Sequence, residues 1–330
     1  MVSIICPIYN EERFIEACIQ SVLNQDIPSD SWELLLVDGG STDRTRERMQ
    51  PYIEQHANIR LLDNPHRTAP YAMNIGIREA KGEYICRMDA HSSFPADYVS
   101  TLLRYLNELP DAANVGAVCN TLPANDSTKA KAIAIACRHP FGVGNSTFRT
   151  TTVNKPMPTD TVPFGFWRKD IFDSVGYFNE DLTRNQDDEF NARTIQQGKK
   201  VYLVPELVVT YFARDTIGKT ARMFYQYGLF KPLVNKQLKR PATMRQFVPM
   251  VFLVWLIIGL PFIFLHPVML IIYCASILLY VLCLTGIAVH NGNMYLPAVF
   301  AAIHFSYGFG YLAGIGKLLL KRPFNVDTNR

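Results

Sequence analysis

Asp89 and His91, one residue apart in Tyr84-Ile-Cys-Arg-Met-Asp-Ala-His-Ser92, are the pair from which a chemical reading starts. An apolar strand runs into a polar tip there, and a carboxylate and an imidazole at i and i+2 on a strand end can point to one side. Carboxylate oxygens suit Mg²⁺ or Mn²⁺ and imidazole tolerates Mn²⁺, so the pair could hold a divalent cation against a phosphate. A lone D-x-H is a weak signal, and two other stretches give it weight. Asp38-Gly-Gly-Ser-Thr-Asp43 puts two carboxylates around glycines that permit close backbone approach. Asn185-Gln-Asp-Asp-Glu-Phe190 puts Asp187 and Asp188 at the start of a helix, where negative charge is favoured. Each also has a plain structural reading: Asp38 as a turn cap, His91 as a solvated turn residue, and residues 187–189 as an acidic helix start.

The elements that must position these residues are legible as alternating apolar runs. Val2 to Cys6 is a short β-branched strand that ends at Pro7, with Tyr9 and Asn10 in the following loop and Asn10 placed to cap a helix. Phe14, Ile15, Cys18, Ile19, Val22 and Leu23 recur at helical spacing. Strands follow at Glu33 to Val37, Ile59 to Leu62 and Glu83 to Met88, with a helix over Ala69 to Ala80 before the last. This alternation predicts a parallel, doubly wound α/β sheet, in which ligands sit at the carboxyl ends of the strands. Those ends carry Tyr9, Asn10, Asp38, Asp43, Asp89 and His91. A helix over Phe94 to Leu109 and a strand over Val115 to Asn120 come next, and residues 121–161 read as a long polar loop over that face. Strands over Val201 to Val204 and Leu207 to Tyr211 close the soluble part.

Composition removes several classes. A formal net charge of +4, with no basic block interleaved with aromatics, argues against a nucleic-acid partner. Gly218-Lys219-Thr220 resembles the end of a P-loop, but Ala213 stands where the first glycine is required, and no G-x-G-x-x-G occurs. The seven cysteines form no C-x-x-C pair, so reduced thiols and a cytosolic soluble part are expected. No basic, apolar leader precedes Pro7, so no signal peptide is expected. The sequons at Asn125 and Asn145 would then go unused.

Residues 247–316 contain no Lys, Arg, Asp or Glu. Three segments, about Phe247 to Leu265, Val268 to Val289 and Tyr295 to Ile315, are each long enough to cross a hydrocarbon core of roughly 30 Å. Lys231, Lys236, Lys239, Arg240 and Arg245 precede them and favour a cytoplasmic start at a membrane rich in anionic lipid. Three crossings put the C-terminus on the far side, against the preference of Lys317, Lys321 and Arg322. That conflict leaves room for one segment to be re-entrant or interfacial, with the first two, joined through His266-Pro267, as the hairpin. The expected organisation is a catalytic domain over 1–230, a basic juxtamembrane segment over 231–246, a membrane domain over 247–316 and a tail over 317–330.

Cys6-Pro-Ile-Tyr-Asn-Glu-Glu12, Asp38-Gly-Gly-Ser-Thr-Asp43, Asp89-Ala-His91 and Gln186-Asp-Asp-Glu-Phe190 resemble, in this order and spacing, the serial landmarks of family 2 glycosyltransferases. The resemblance covers roughly residues 1 to 215, and the Asp-Ala-His variant is similar to the succinoglycan-type glucosyltransferases. It implies a GT-A fold, the Rossmann-like nucleotide-diphospho-sugar transferase fold, followed by C-terminal transmembrane helices in a cell inner membrane. Pro7, Tyr9 and Glu11 would flank the nucleotide of a UDP-sugar, and Asp38 would accept from the uracil N–H. Asp89 would reach the ribose or diphosphate through a divalent cation, Mn²⁺ or Mg²⁺, with His91 at the second position of the usual Asp-x-Asp. Asp187 would be the base, with Asp188 its close rival, and Arg67 and Asn74 would lie near the donor.

The chemistry agrees with the residue types. A sugar hydroxyl is a poor nucleophile at neutral pH and needs a carboxylate to take its proton. The departing UDP develops negative charge that a metal can stabilise. One base opposite the leaving group implies inversion. The expected partners are a UDP-sugar, glucose by resemblance, a lipid-linked or other saccharide acceptor, and membrane lipids; oligomeric state stays open. A processive synthase would show Gln-x-x-Arg-Trp after the base, whereas Gln226 is followed by Tyr-Gly-Leu-Phe. A non-catalytic scaffold would not be expected to retain these carboxylates.

Overall fold

The structure, a computed structural model, describes residues 1–150 and 154–324. Residues 151–153 of the expected loop and 325–330 of the expected tail lie outside the described residues. The elements run in the order β1 (Val2–Ile8), α1 (Ile15–Leu23), β2 (Trp32–Asp38), α2 (Thr45–Gln55), β3 (Ile59–Asp63), α3 (Ala69–Glu79) and β4 (Tyr84–Arg87). Then come β5 (Ser92–Ser93), α4 (Tyr98–Glu108), β6 (Ala112–Leu122), α5 (Thr128–Ala136), α6 (Pro140–Val143), α7 (Thr147–Thr150), β7 (Met157–Thr159) and β8 (Phe166–Arg168). The chain continues through α8 (Ile171–Val175), α9 (Gln186–Gln196), β9 (Lys200–Phe212), α10 (Ile217–Leu238), α11 (Val248–Phe262), α12 (Pro267–His290) and α13 (Leu296–Leu319). It divides into two compact units, residues 1–120 with 147–211, and residues 121–146 with 212–330.

The first unit is built on one sheet in the order β3-β2-β1-β4-β8-β6-β9-β5, with β7 paired to β9. β1 and β2 bury nearly every residue, as strands covered on both faces must. β1 to β4 are parallel, Ile4 pairing with Leu34 and with Cys86. The other half departs from the expected doubly wound parallel sheet, because β8 is antiparallel to both β4 and β6. The cause is the connection. A parallel neighbour needs a crossover that returns the chain to the starting edge. Between β6 and β8 no such crossover returns the chain to the amino edge for a parallel start: β8 begins with Phe166 beside Cys86, at the carboxyl end of β4, and so runs the other way. The two closing strands are one, β9, continuous through Pro205.

Two cores flank the sheet. One joins Ile4, Leu34 and Cys86 to α1 and α4 through Ile19 and Leu102. The other packs Ile5, Leu35 and Ile85 against α3, α8 and α9. In the latter, Phe190 of α9 lies 4.7 Å from the Phe178 ring, 5.3 Å from Phe172 and 6.2 Å from Trp167. This aromatic cluster fixes the helix that starts at Gln186.

The expected loop over 121–161 is in part helical: α5 is capped by Ser127, whose Oγ accepts from the Ala130 amide at 3.2 Å. Its Ala-rich composition shows no apolar stripe, which hides it from a periodicity reading. Residues 121–146 and the part of α10 up to residue 230, expected within the catalytic domain, group by contact with α11, α12 and α13 in the second unit, as does the rest of α10. Three of its helices are long and apolar enough to cross a membrane.

Truncating the anchor of α9, Phe190→Ala, should cost about 3–5 kcal/mol. A chemical-denaturation midpoint unchanged from wild type would contradict the role given to the cluster.

Candidate functional site at the carboxyl edge of the parallel strands

Three loops converge beyond β1, β2 and β4. The first two are laced together. The Asn10 amide donates to Ser41 Oγ at 2.9 Å, the Glu11 amide to Thr45 Oγ1 at 2.8 Å and the Glu12 amide to Asp43 Oδ2 at 3.2 Å. In return Asn10 Oδ1 accepts from the Thr42 amide at 2.8 Å. Asn10 therefore does not cap α1; it sits in a left-handed conformation with φ 55° and shapes the turn, and the helix begins at Ile15. Asp43 is held below the ordinary carboxylate range by hydrogen bonds from Thr45 and the Glu12 amide, which outweigh its partial burial.

Asp38 ends β2 with its side chain fully buried. Its carboxylate accepts from Ser41 Oγ and Arg46 Nε, both at 2.5 Å, and Arg46 also reaches Asp63 at the end of β3. The turn is tight: a Cβ on Gly39 would lie 3.0 Å from Arg67 Cα. Arg67, itself left-handed at φ 64°, places its guanidinium 5.9 Å from the centre of the Tyr9 ring. The structure thus brings Pro7, Tyr9, Asp38 and Arg67 to one edge.

The Asp89–His91 stretch forms a turn rather than a strand end. β4 stops at Arg87, and the Ser92 amide closes the turn onto the Asp89 carbonyl at 3.1 Å. Strand alternation therefore does not orient these side chains; individual partners do. His91 Nδ1 lies 3.5 Å from Glu11 Oε1, and its ring stands edge-on to Tyr211. Pairing of Ser92 with Tyr211 holds the turn to β9.

Arg87 is the residue the sequence reading missed. Its guanidinium grips Asp89 in a two-pronged contact, Nε to Oδ1 at 2.7 Å and Nη2 to Oδ2 at 3.1 Å. Through Nη1 it reaches both oxygens of Asp187, at 2.8 and 3.1 Å. Only 7% of the Arg87 side chain is exposed. Burial opposes its charge, but Asp187 and Asp89 outweigh that and raise its pKa above the ordinary arginine value. Asp187, with 31% of its side chain open, is pushed above the ordinary aspartate value. Burial is the main cause, Asp89 and Asp188 add to it, and Arg87 opposes it. The signal that could have found Arg87 is its place as a charged residue at the inner end of an otherwise apolar strand.

Asn74 lies inside the protein, away from the loops above. It is 1% exposed, and its side chain is consumed by the protein: Nδ2 donates to the Phe178 carbonyl at 2.9 Å and to Glu180 Oε1 at 2.8 Å, while Oδ1 accepts from the Phe178 amide at 3.0 Å. It fastens α3 to the segment before α9, with both Nδ2 hydrogens and Oδ1 already engaged.

Among the described residues no three His, Cys, Asp or Glu side chains converge as a ready-made metal site. The donor chemistry still fits a hard cation shared with phosphates. Asp89 supplies carboxylate oxygens, and Mg²⁺-type sites commonly use one or two carboxylates plus phosphate oxygens.

The profile described as glycosyl transferase family 2 matches residues 3–176. The chain is 31% identical over 243 residues to a dolichyl N-acetyl-alpha-D-glucosaminyl phosphate 3-beta-D-2,3-diacetamido-2,3-dideoxy-beta-D-glucuronosyltransferase of Methanococcus voltae, covering 72% of this chain and 74% of that one. It is 30% identical over 255 residues to the succinoglycan biosynthesis protein ExoA of Rhizobium meliloti, covering 75% and 74%. In fold it is similar to the mannosyltransferase PcManGT of Pyrobaculum calidifontis, solved in complex with GDP-Man and Mn²⁺, with a TM-score of 0.59, 18% identity, and coverage of 97% of this chain and 87% of that one.

Asn74→Ala separates the two roles considered for that residue. It should lower stability by roughly 1–3 kcal/mol through the unpaired Phe178 backbone groups. Donor KM measured below the unfolding range should stay at the wild-type value; a selective rise in KM would restore Asn74 to the donor site.

Proposed function

The chain belongs to glycosyl transferase family 2, and we propose that it is a membrane-anchored, inverting enzyme that moves one sugar from a UDP-sugar to a lipid-linked or other saccharide acceptor. Glucose is the proposed sugar, on the likeness to the succinoglycan protein. A lipid-linked acceptor has support in the name of the Methanococcus relative, which acts on a dolichyl phosphate sugar. The observation that carries the reading is the link Asp89–Arg87–Asp187, which ties the carboxylate suited to a diphosphate-bound cation to one suited to be a base.

In this reading Asp38 accepts from the uracil N–H, its charge supported by Arg46 and Ser41, and Tyr9, Pro7, Glu11 and Arg67 border the nucleotide. Asp89 would hold a divalent cation, with His91 beside it; when bound, that cation neutralises charge on the departing diphosphate. Asp187 takes the proton of the acceptor hydroxyl as that oxygen attacks the anomeric carbon from the face opposite UDP. The carbon–oxygen bond to UDP breaks with inversion, and the proton stays on Asp187 until solvent removes it. The raised pKa favours this role, since a carboxylate of higher pKa is the stronger base when ionised.

The test is a donor panel on detergent-solubilised protein, with UDP-glucose, UDP-galactose, UDP-N-acetylglucosamine and GDP-mannose and with Mn²⁺, Mg²⁺ or EDTA. Asp187→Asn should lower kcat roughly 10²- to 10⁴-fold while leaving donor affinity within a few-fold. Asp89→Asn should abolish the response to metal. Donor binding with equal, negligible turnover in wild type and variants, across the acceptors supplied, would sink the catalytic assignment. The pH profile gives a second check. Asp187 must be ionised to act, so kcat should fall on acidification, with a midpoint above the ~3.9 of a free aspartate. A limb at or below that value would take the base role from Asp187.

A further inference from the structure

α13 differs from the other two apolar helices in what is packed along its length. It runs parallel to α10 and makes with it the most extensive helix–helix contact in its unit. The seam depends on glycine. A Cβ on Gly310 would lie 2.1 Å from the Tyr225 carbonyl oxygen, one on Gly314 2.3 Å from that of Leu229, and one on Gly228 2.1 Å from that of Tyr307. Residues 307–314 are the middle of α13. One turn beyond Gly228, α10 carries Lys231, with Lys219, Arg222 and Lys236 elsewhere on the same helix. If α13 crossed a bilayer, its midpoint would take this cationic helix into the hydrocarbon, where charge is strongly disfavoured.

A second flank of α13 gives the same answer independently. Residues 121–146 leave β6, and the chain afterwards returns to the sheet at β7, so both ends of this excursion are tied to a soluble fold. Asn293 Nδ2, just before α13, donates to the Thr128 carbonyl at 2.9 Å, and His304, near the middle of α13, contacts the Phe141 carbonyl at 2.6 Å. A crossing α13 would draw α5 and α6 inward with Lys129, Lys131 and Arg138.

α11 and α12 carry no charged residue, although the first turns of α11 also pack on α13, where a Cβ on Gly308 would lie 2.9 Å from the Pro249 carbonyl oxygen. Of their most apolar windows 17% and 6% is buried, against 39% for α13. They pair with each other, Trp255 Nε1 donating to Ser276 Oγ at 2.9 Å and Tyr273 Oη to the Leu256 carbonyl at 2.9 Å. Their connection exposes Phe264 and Leu265 at 84% and 73%. Apolar surface on that scale needs lipid to cover it.

We propose that the α11–α12 hairpin alone enters the bilayer and that α13 lies with α10 in the interfacial layer. Its open apolar edge, with Phe309 and Leu319, then faces the lipid. Lys317, Lys321 and Arg322 therefore lie on the same side as residues 1–246, which removes the conflict that three crossings create. The inference rests on the membrane-anchored reading, and the experiment separates the two. Glu54→Cys and Lys321→Cys, each at an exposed position, are expressed in the full chain. Sealed inside-out and right-side-out vesicles are then treated with a membrane-impermeant maleimide, with wild type as the background for native cysteines. Both sites should label in the same vesicle orientation and resist labelling in the other. Labelling of the two in opposite orientations means that α13 crosses and overturns the inference. A chain stripped from membranes by carbonate would overturn the anchored reading and the inference with it.

Discussion

A buried guanidinium between two carboxylates sets the terms for the rest of the first unit. Arg87 and Asp187 are 100 residues apart in sequence, and without the guanidinium between them the charges of Asp89 and Asp187 would repel in a half-desolvated edge. Arg87 can sit there because β4 is flanked by parallel β1 and antiparallel β8, so its backbone is satisfied: the Arg87 amide donates to the Gly165 carbonyl at 3.1 Å. The change of strand direction at β8 is thus part of the site. It brings the chain back along β4 and on through α8 to the start of α9, whose first turn supplies Asp187.

Three consecutive acids begin α9, and helical geometry sorts them. Successive side chains are rotated by about 100°, so no two can meet the same partner. Glu189 turns inward and pairs with Arg193, Oε1 to Nε at 2.8 Å. Asp187 turns to Arg87. Asp188 acts on Asp187 through its charge, raising its pKa. All three gain from the helix N-terminus, so the acidic cluster is locally favourable as well as chemically useful. The plain and the functional readings of this stretch are therefore compatible.

What the sequence made legible follows from the range of the forces involved. β1 to β4 and the helices between them are written in local patterns: short apolar runs, then amphipathic repeats. The loops at their ends carry polar residues that could be named in advance, because strand alternation with helices fixes which edge they share. The antiparallel half was hidden, since strand direction depends on where a connection ends and not on composition. Arg87 was hidden for a similar reason: in Tyr84-Ile-Cys-Arg87 it reads as one polar interruption of a strand, and its meaning depends on Asp187, far along the chain. Asn74 shows the same dependence. It suits a donor contact by type, but whether it faces a ligand or the protein depends on Phe178 and Glu180, which fold back onto it.

On the inference that α13 stays in the interfacial layer, hydropathy alone overstates the membrane domain of the second unit. A helix that buries an apolar face against protein and one that buries it against lipid have the same composition. Glycines mark the difference when they align. Gly310 and Gly314 on α13, with Gly228 on α10, bring the two backbones close enough that neither helix can rotate that face toward another partner. Once that seam is fixed, the charges of one helix constrain the depth of the other. The hydropathy of α13, 1.4 against 2.5 for α12, already reflects the compromise. Its His304 meets protein on both ring nitrogens, Tyr280 Oη at 2.9 Å and the Phe141 carbonyl at 2.6 Å.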